Sequence, residues 1–103
     1  MSKLVDDDGY PTEEMLDKIR NWYYNFNELM QFIEPHWQYG DIGYWWGEEL
    51  ELFEGKVMQY KISTAGWSGN EDIIRALQEN HIFWSLCWVQ SKRGGHYIFE
   101  VKE

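Results

Sequence analysis

Apolar residues recur along the first third of the chain at helical intervals. Met15, Ile19, Trp22, Phe26, Leu29 and Ile33 follow one another at spacings of 4, 3, 4, 3 and 4, and Leu16, Tyr23, Met30 and Phe32 widen the stripe. That rhythm predicts one long N-terminal helix of about six turns. Pro11-Thr12-Glu13-Glu14 opens it, with Thr12 as cap and two carboxylates at the positive end of the helix dipole. Glu34-Pro35 closes it, because the residue before a proline avoids helical angles. The stripe is too wide for the seam of a helix pair, so it is expected to lie across a sheet or to bury one flank in a homodimer.

The pattern then changes. Residues 35–47 hold three glycines and five aromatic residues and read as an aromatic loop, with a short strand near Tyr44–Trp46. Glu49–Phe53 and Met58–Ile62 alternate polar and apolar around Glu54-Gly55-Lys56, the pattern of a β-hairpin with one wet face. Ser68 and Glu71 have capping-box spacing ahead of Ile73, Ile74, Ala76 and Leu77, which predicts a short helix stopped at Asn80 in a left-handed conformation. Residues 82–89 read as a strand apolar on both faces, and Lys92-Arg93-Gly94-Gly95 turns it back into Tyr97, Phe99 and Val101. The expected fold is α+β: long helix, hairpin, short helix, hairpin, giving a four-stranded, mostly antiparallel sheet with helices packed on it. The 103 residues suit one domain, residues 1–103, with residues 1–10 a flexible acidic leader.

Composition adds two constraints. Seven Trp, seven Tyr and five Phe are more large rings than a core of this size can hide, so some belong on the surface, where Trp and Tyr anchor binding partners. The net charge is −9 and it is lopsided. Residues 1–54 carry thirteen acidic and three basic side chains, whereas residues 55–103 carry five and six. So negative a field repels nucleic acid and favours a basic partner. Together these features make Trp37, Tyr39, Tyr44, Trp45, Trp46, Glu48, Glu49 and Glu51 a candidate surface for binding a protein.

Catalytic chemistry finds little support. His36, His81, His96 and Cys87 are scattered without metal-ligand spacing, so neither a metal nor any other cofactor is expected. Cys87, lying between Leu86 and Trp88, reads as a small buried hydrophobe rather than a nucleophile. Glu48, Glu49 and Glu51 beside Trp45 and Trp46 have the residue types of a glycosidase site, but equally those of a solvated strand face. The better small-ligand candidate is anionic. Trp67, Ser68, Gly69 and Asn70 at a helix start offer backbone amides and a stacking ring, while Arg93 and His96 at the second hairpin tip offer charge. Both segments would have to converge to hold a nucleotide. The lone cysteine, the lack of an apolar signal core and the lack of a membrane-length apolar run point to the cytoplasm and away from membranes.

The segments Ser63-Thr64-Ala65-Gly66-Trp67-Ser68-Gly69-Asn70-Glu71, Phe83-Trp84, Cys87-Trp88 and Arg93-Gly94-Gly95-His96-Tyr97 resemble small proteins encoded by tailed bacteriophages and prophages. The likeness covers roughly residues 62–101. It implies a phage origin and a bacterial host cytoplasm; that group has no assigned activity, so no residue role carries over. The expected function is that of a non-enzymatic phage accessory protein. It would bind and inhibit a host protein, concerned with defence or nucleic-acid handling, through the acidic aromatic surface. The alternatives are a nucleotide sponge using residues 64–71 and 92–97, and a structural or packaging protein.

Overall fold

The N-terminal stripe folds as two helices rather than the single long one its period predicts: α1 (Glu13–Asn21) and α2 (Phe26–Ile33). Thr12 caps α1 through Met15 N–H, as the sequence suggests. At Trp22 the backbone turns extended, and Asn25 takes a left-handed φ of 48°. Asn25 then accepts a hydrogen bond from Glu28 N–H at 3.2 Å, a cap that begins a new helix. Asparagine tolerates that conformation better than most residues, and the run Asn21–Asn25 contains only weak helix formers. Two shorter helices can each follow the apolar surface below them. A 3-10 turn, Glu34–His36, contains the proline.

The computed structural model describes residues 4–38, 43–51 and 55–102, with backbone alone at 48–51 and 55–56. After the 3-10 turn come β1 (Tyr44–Glu51), β2 (Gly55–Ser63), α3 (Ser68–Glu79), α4 (His81–Cys87), β3 (Trp88–Lys92) and β4 (His96–Lys102). The strands form one sheet in the order β1-β2-β4-β3, and every pair is antiparallel. The fold is α+β.

Two local readings are corrected. The apolar run from Ile82 is helical up to Cys87 and extended only from Trp88. Asn80 explains this: it is not a left-handed stop (φ −84°) but the cap of α4, its Oδ1 accepting from Phe83 N–H at 3.1 Å. Phe83 and Cys87, one helical turn apart, are thereby turned inward. Similarly, Ser68 is the first residue of α3 rather than its cap, and Trp67 holds the cap position without a side-chain bond. The turn at Gly94 and Gly95 forms as predicted, both with positive φ.

Among the described residues, the four helices α1–α4 pack on one side of the sheet. Tyr60 and Phe99, paired across the two central strands, are fully covered, and Phe83 of α4 packs 5.2 Å from the Phe99 ring. Met15, Ile19, Leu29, Met30 and Ile33 complete this core from α1 and α2. Polar groups at its rim are matched. Tyr44 O–H donates to Met30 O at 2.7 Å, and Tyr60 O–H donates to Asn27 Oδ1 at 2.8 Å. These bonds fix α2 to the sheet. Asn80 fixes α4 to the α1–α2 corner, its Nδ2 donating to Ile19 O at 2.8 Å and Trp22 O at 2.7 Å. Among the described residues no helix is long and apolar enough to cross a membrane.

Candidate binding surfaces

Alternation along each strand sorts side chains between the helix-covered face and an open one. Tyr44, Tyr60, Ile62, Phe99 and Val101 belong to the covered face and are buried there. The intervening residues fall into rows across the open face. One row is Trp45, Lys61, Ile98 and Gln90; the next is Ser63, His96 and Lys92, with Gly43 beside Ser63. Between them lies a recess of about 500 Å³, with Trp45, Lys61, Ser63, Lys92, His96 and Ile98 among its lining residues.

Small and large residues shape this recess. Gly43 and Ser63 are low, whereas Trp45 stands up at the β1 edge, 48% exposed. Its ring leans over Gly47, where even a β-carbon would sit 3.0 Å from the indole. Across the strand pair, Lys61 Nζ stands 5.1 Å from the ring centroid, a cation–π contact. Lys92 and His96 face each other across β3 and β4. Among the described residues, none of Lys61, Lys92 and His96 is paired with a carboxylate. Glu100, in the row beyond Ile98, accepts from Gln59 Nε2 at 2.9 Å.

A second surface is apolar. α4 turns Phe83 and Cys87 inward, which leaves Ile82 and Leu86, also one turn apart, facing solvent at 51% and 70% exposure. Trp88 and Val89 continue this exposed run into β3, all five residues of which are exposed. Trp88 stacks on Trp84 at 5.9 Å and donates from Nε1 to Ser91 Oγ at 2.8 Å, so its orientation is fixed. The α1–α2 corner, held to the start of α4 by Asn80, exposes Tyr23 and Tyr24.

The residues singled out from sequence are redistributed. Trp37 and Tyr44 are core residues, not surface anchors: Trp37 donates from Nε1 to Ser63 O at 3.0 Å. Burial, with Tyr60 and Glu34 nearby, holds the Tyr44 hydroxyl well above the usual tyrosine range. Trp45 and Trp46 are both exposed but, as strand neighbours, point to opposite faces and cannot share one surface. Trp46 donates from Nε1 to Glu34 Oε2 at 2.6 Å. Tyr39 lies outside the described residues, and so do the side chains of Glu48, Glu49 and Glu51, whose backbone belongs to β1.

The anion candidates are only partly united. Residues 64–71 and 92–97 do meet, Thr64 N–H donating to Gly95 O at 3.0 Å. Asn70, however, is fully buried and committed: its Oδ1 accepts from Gln38 N–H, and its Nδ2 donates to Gln38 O and Thr64 O. The Trp67 ring lies against Gly69, where any β-carbon would collide with it, and Tyr10 packs 4.8 Å from that ring. Trp67 thus covers the helix start instead of offering a platform. Ser68 is exposed and donates to Tyr10 O–H at 3.4 Å; Arg93 is exposed at the hairpin tip; only His96 enters the recess. Cys87 is buried at the end of α4, and burial pushes its thiol up to about 12. Among the described residues no three His, Cys, Asp or Glu side chains gather as a metal site. No family model, no curated protein and no solved structure matches the chain.

Proposed function

We propose that the protein is a non-enzymatic binding protein that docks on another protein through the outward face of α4 and the start of β3. The observation that carries this is the pair Ile82 and Leu86. Two large aliphatic side chains stand a helical turn apart and exposed, with Trp88 and Val89 beside them. Apolar side chains grouped this way mark interaction sites more often than isolated ones do. The fixed indole of Trp88 gives the rigid aromatic anchor common at the centre of interfaces.

Charge selects the kind of partner. The net charge of −9 favours approach of a basic partner at long range, but its acidic excess lies in residues 1–54, and the α4 face itself, with no Asp or Glu in residues 81–92, makes its contact through apolar side chains. The resemblance of residues 62–101 to proteins of tailed phages supports a bacterial host protein as that partner, which binding would inhibit. Trp45 and Trp46 do not join this surface; the anchor moves from the aromatic loop to α4.

The test is capture of host proteins on the immobilised full chain, followed by titration of the captured protein, once purified, against Leu86→Asp and Ile82→Ser variants shown to be folded by circular dichroism. Loss of at least about tenfold in affinity is expected. Undiminished binding by both variants sinks the reading. So does a dimer in light scattering that Leu86→Asp converts to monomer, because the face would then be covered by a second copy.

A further inference from the structure

We propose that the recess on the open face of the sheet is a binding site for a nucleotide-sized phosphate ester, its ring held against Trp45 and its phosphate by Lys92, His96 and Lys61. This site lies on the opposite side of the sheet from α4 and does not depend on the protein-binding reading.

Charge is the first argument. The chain carries twice as many acidic as basic side chains, eighteen against nine, yet the described residues lining the recess include Lys61, Lys92 and His96 and no carboxylate, its other titratable groups being Tyr44 and Tyr97. Two of the three basic groups are direct cross-strand partners, and the third is one row away. Like groups opposed on a sheet oppose folding when both are charged. Among the described residues no carboxylate relieves them. An anion does so directly, and the doubly charged phosphate of an ester answers several cations where a single carboxylate answers one.

Shape and apolar character supply the rest. About 500 Å³ falls within the range of small-ligand sites, and a mononucleotide fits it. Trp45 is half exposed, its ring leaning over Gly47 with Lys61 Nζ above it, so a ligand ring stacks there by taking the place of that ammonium, which turns to the phosphate. Ile98 provides an apolar floor in the same row. Ser63 Oγ accepts from Ala65 N–H at 3.4 Å, which leaves its own proton for a ligand oxygen. The missing side chain of Gly43 and the short one of Ser63 give depth beside the cations, where a phosphate would enter. The ring and the Lys92–His96 pair are therefore in adjacent rows, about 7 Å apart along the strands, with Lys61 in the row of the ring.

Adenosine 5′-monophosphate is the probe, titrated calorimetrically into the full chain, with adenosine and inorganic phosphate as partial ligands. Binding with a Kd at or below about 1 mM is expected, with each partial ligand at least about tenfold weaker. Trp45→Ala and Lys92→Ala should each weaken adenosine monophosphate by about fivefold or more, and Leu86→Gln should leave it unchanged. In indole N–H correlation spectra, the resonance missing from Trp45→Phe should be the one most shifted by ligand. The proposal is overturned by no binding at about 1 mM, by inorganic phosphate binding as well as the nucleotide, or by affinity indifferent to both Trp45→Ala and Lys92→Ala.

Discussion

Replacing Asn80 by alanine removes three hydrogen bonds from one buried side chain. Its Oδ1 caps α4 through Phe83 N–H, and its Nδ2 serves Ile19 O and Trp22 O at the α1–α2 corner. Loss of a cap costs about 1 kcal/mol. A buried carbonyl left without a donor costs about 1–3 kcal/mol. Ile19 O keeps a second donor in Trp22 N–H at 3.3 Å, so its share is the smaller. The expected total is about 3 kcal/mol, a large part of a small domain's stability. Urea unfolding followed by far-ultraviolet circular dichroism measures it. With a slope of about 1.5 kcal/mol per molar, the midpoint should fall by about 2 M. Asn80→Asp separates the two roles. Aspartate is among the best caps, but it offers carbonyls no amide protons and sets a charge against them. It should therefore be no better than alanine. If Asn80→Asp matches the wild type, or Asn80→Ala shifts stability by less than about 0.5 kcal/mol, the clasp between the helix corner and α4 is not what holds them.

Three further outcomes follow from particular contacts. Gly95→Ala should cost about 2 kcal/mol in the same assay, because a β-carbon there meets Thr64 Oγ1 and φ is +78°. Leu86→Gln should change stability by less than about 0.5 kcal/mol, since the side chain is mostly in water; a larger loss in thermal unfolding would show that it is covered. Cys87 ionises at a usual value of 9.0 when unfolded and near 12 in the fold, so high pH favours the unfolded chain. Its contribution is intact below about pH 9 and declines towards pH 12, and the raised Tyr44 acts in the same direction. Alkaline unfolding should be weaker in Cys87→Ala relative to its own neutral stability, and iodoacetamide at pH 8 should label the native thiol far more slowly than the urea-unfolded one.

Periodicity made most of the covered face of the sheet legible, along with the first hairpin, the Gly94-Gly95 turn with the strand that follows it, and the helix at 68–79, but it set the first strand of the second hairpin too early. It failed where a single asparagine decided the outcome. Asn25 and Glu28 have capping spacing inside the N-terminal stripe, but the uninterrupted 4, 3, 4, 3, 4 spacing of its apolar positions masks the cap. Asn80 does the same ahead of Phe83, and a seven-residue helix is too short for its period to outweigh the β-branched and aromatic character of residues 82–89. The signal was present in both places, as an Asn just before an apolar segment. The recess was not legible in the same way. It joins Trp45 of β1 to Lys92 and His96 of the other hairpin, and only the β2–β4 pairing sets them near one another. That pairing depends on the path through two intervening helices, about which local patterns say nothing. Trp37 and Tyr44 show the converse, since richness in rings predicts that some are exposed without saying which.

The register of β3 shifts between Trp88 and Gln90, so Val89 is an extra residue in the outermost strand. An edge with such a kink cannot accept a straight strand from a neighbouring molecule along its whole length, and Lys92 at its end would confront the same charge in a copy paired parallel and in register. Exposed apolar side chains next to an open strand are the usual setting for edge-to-edge association. The single inserted valine lets the surface stay sticky towards a shaped partner while closing the route to endless strand-on-strand growth.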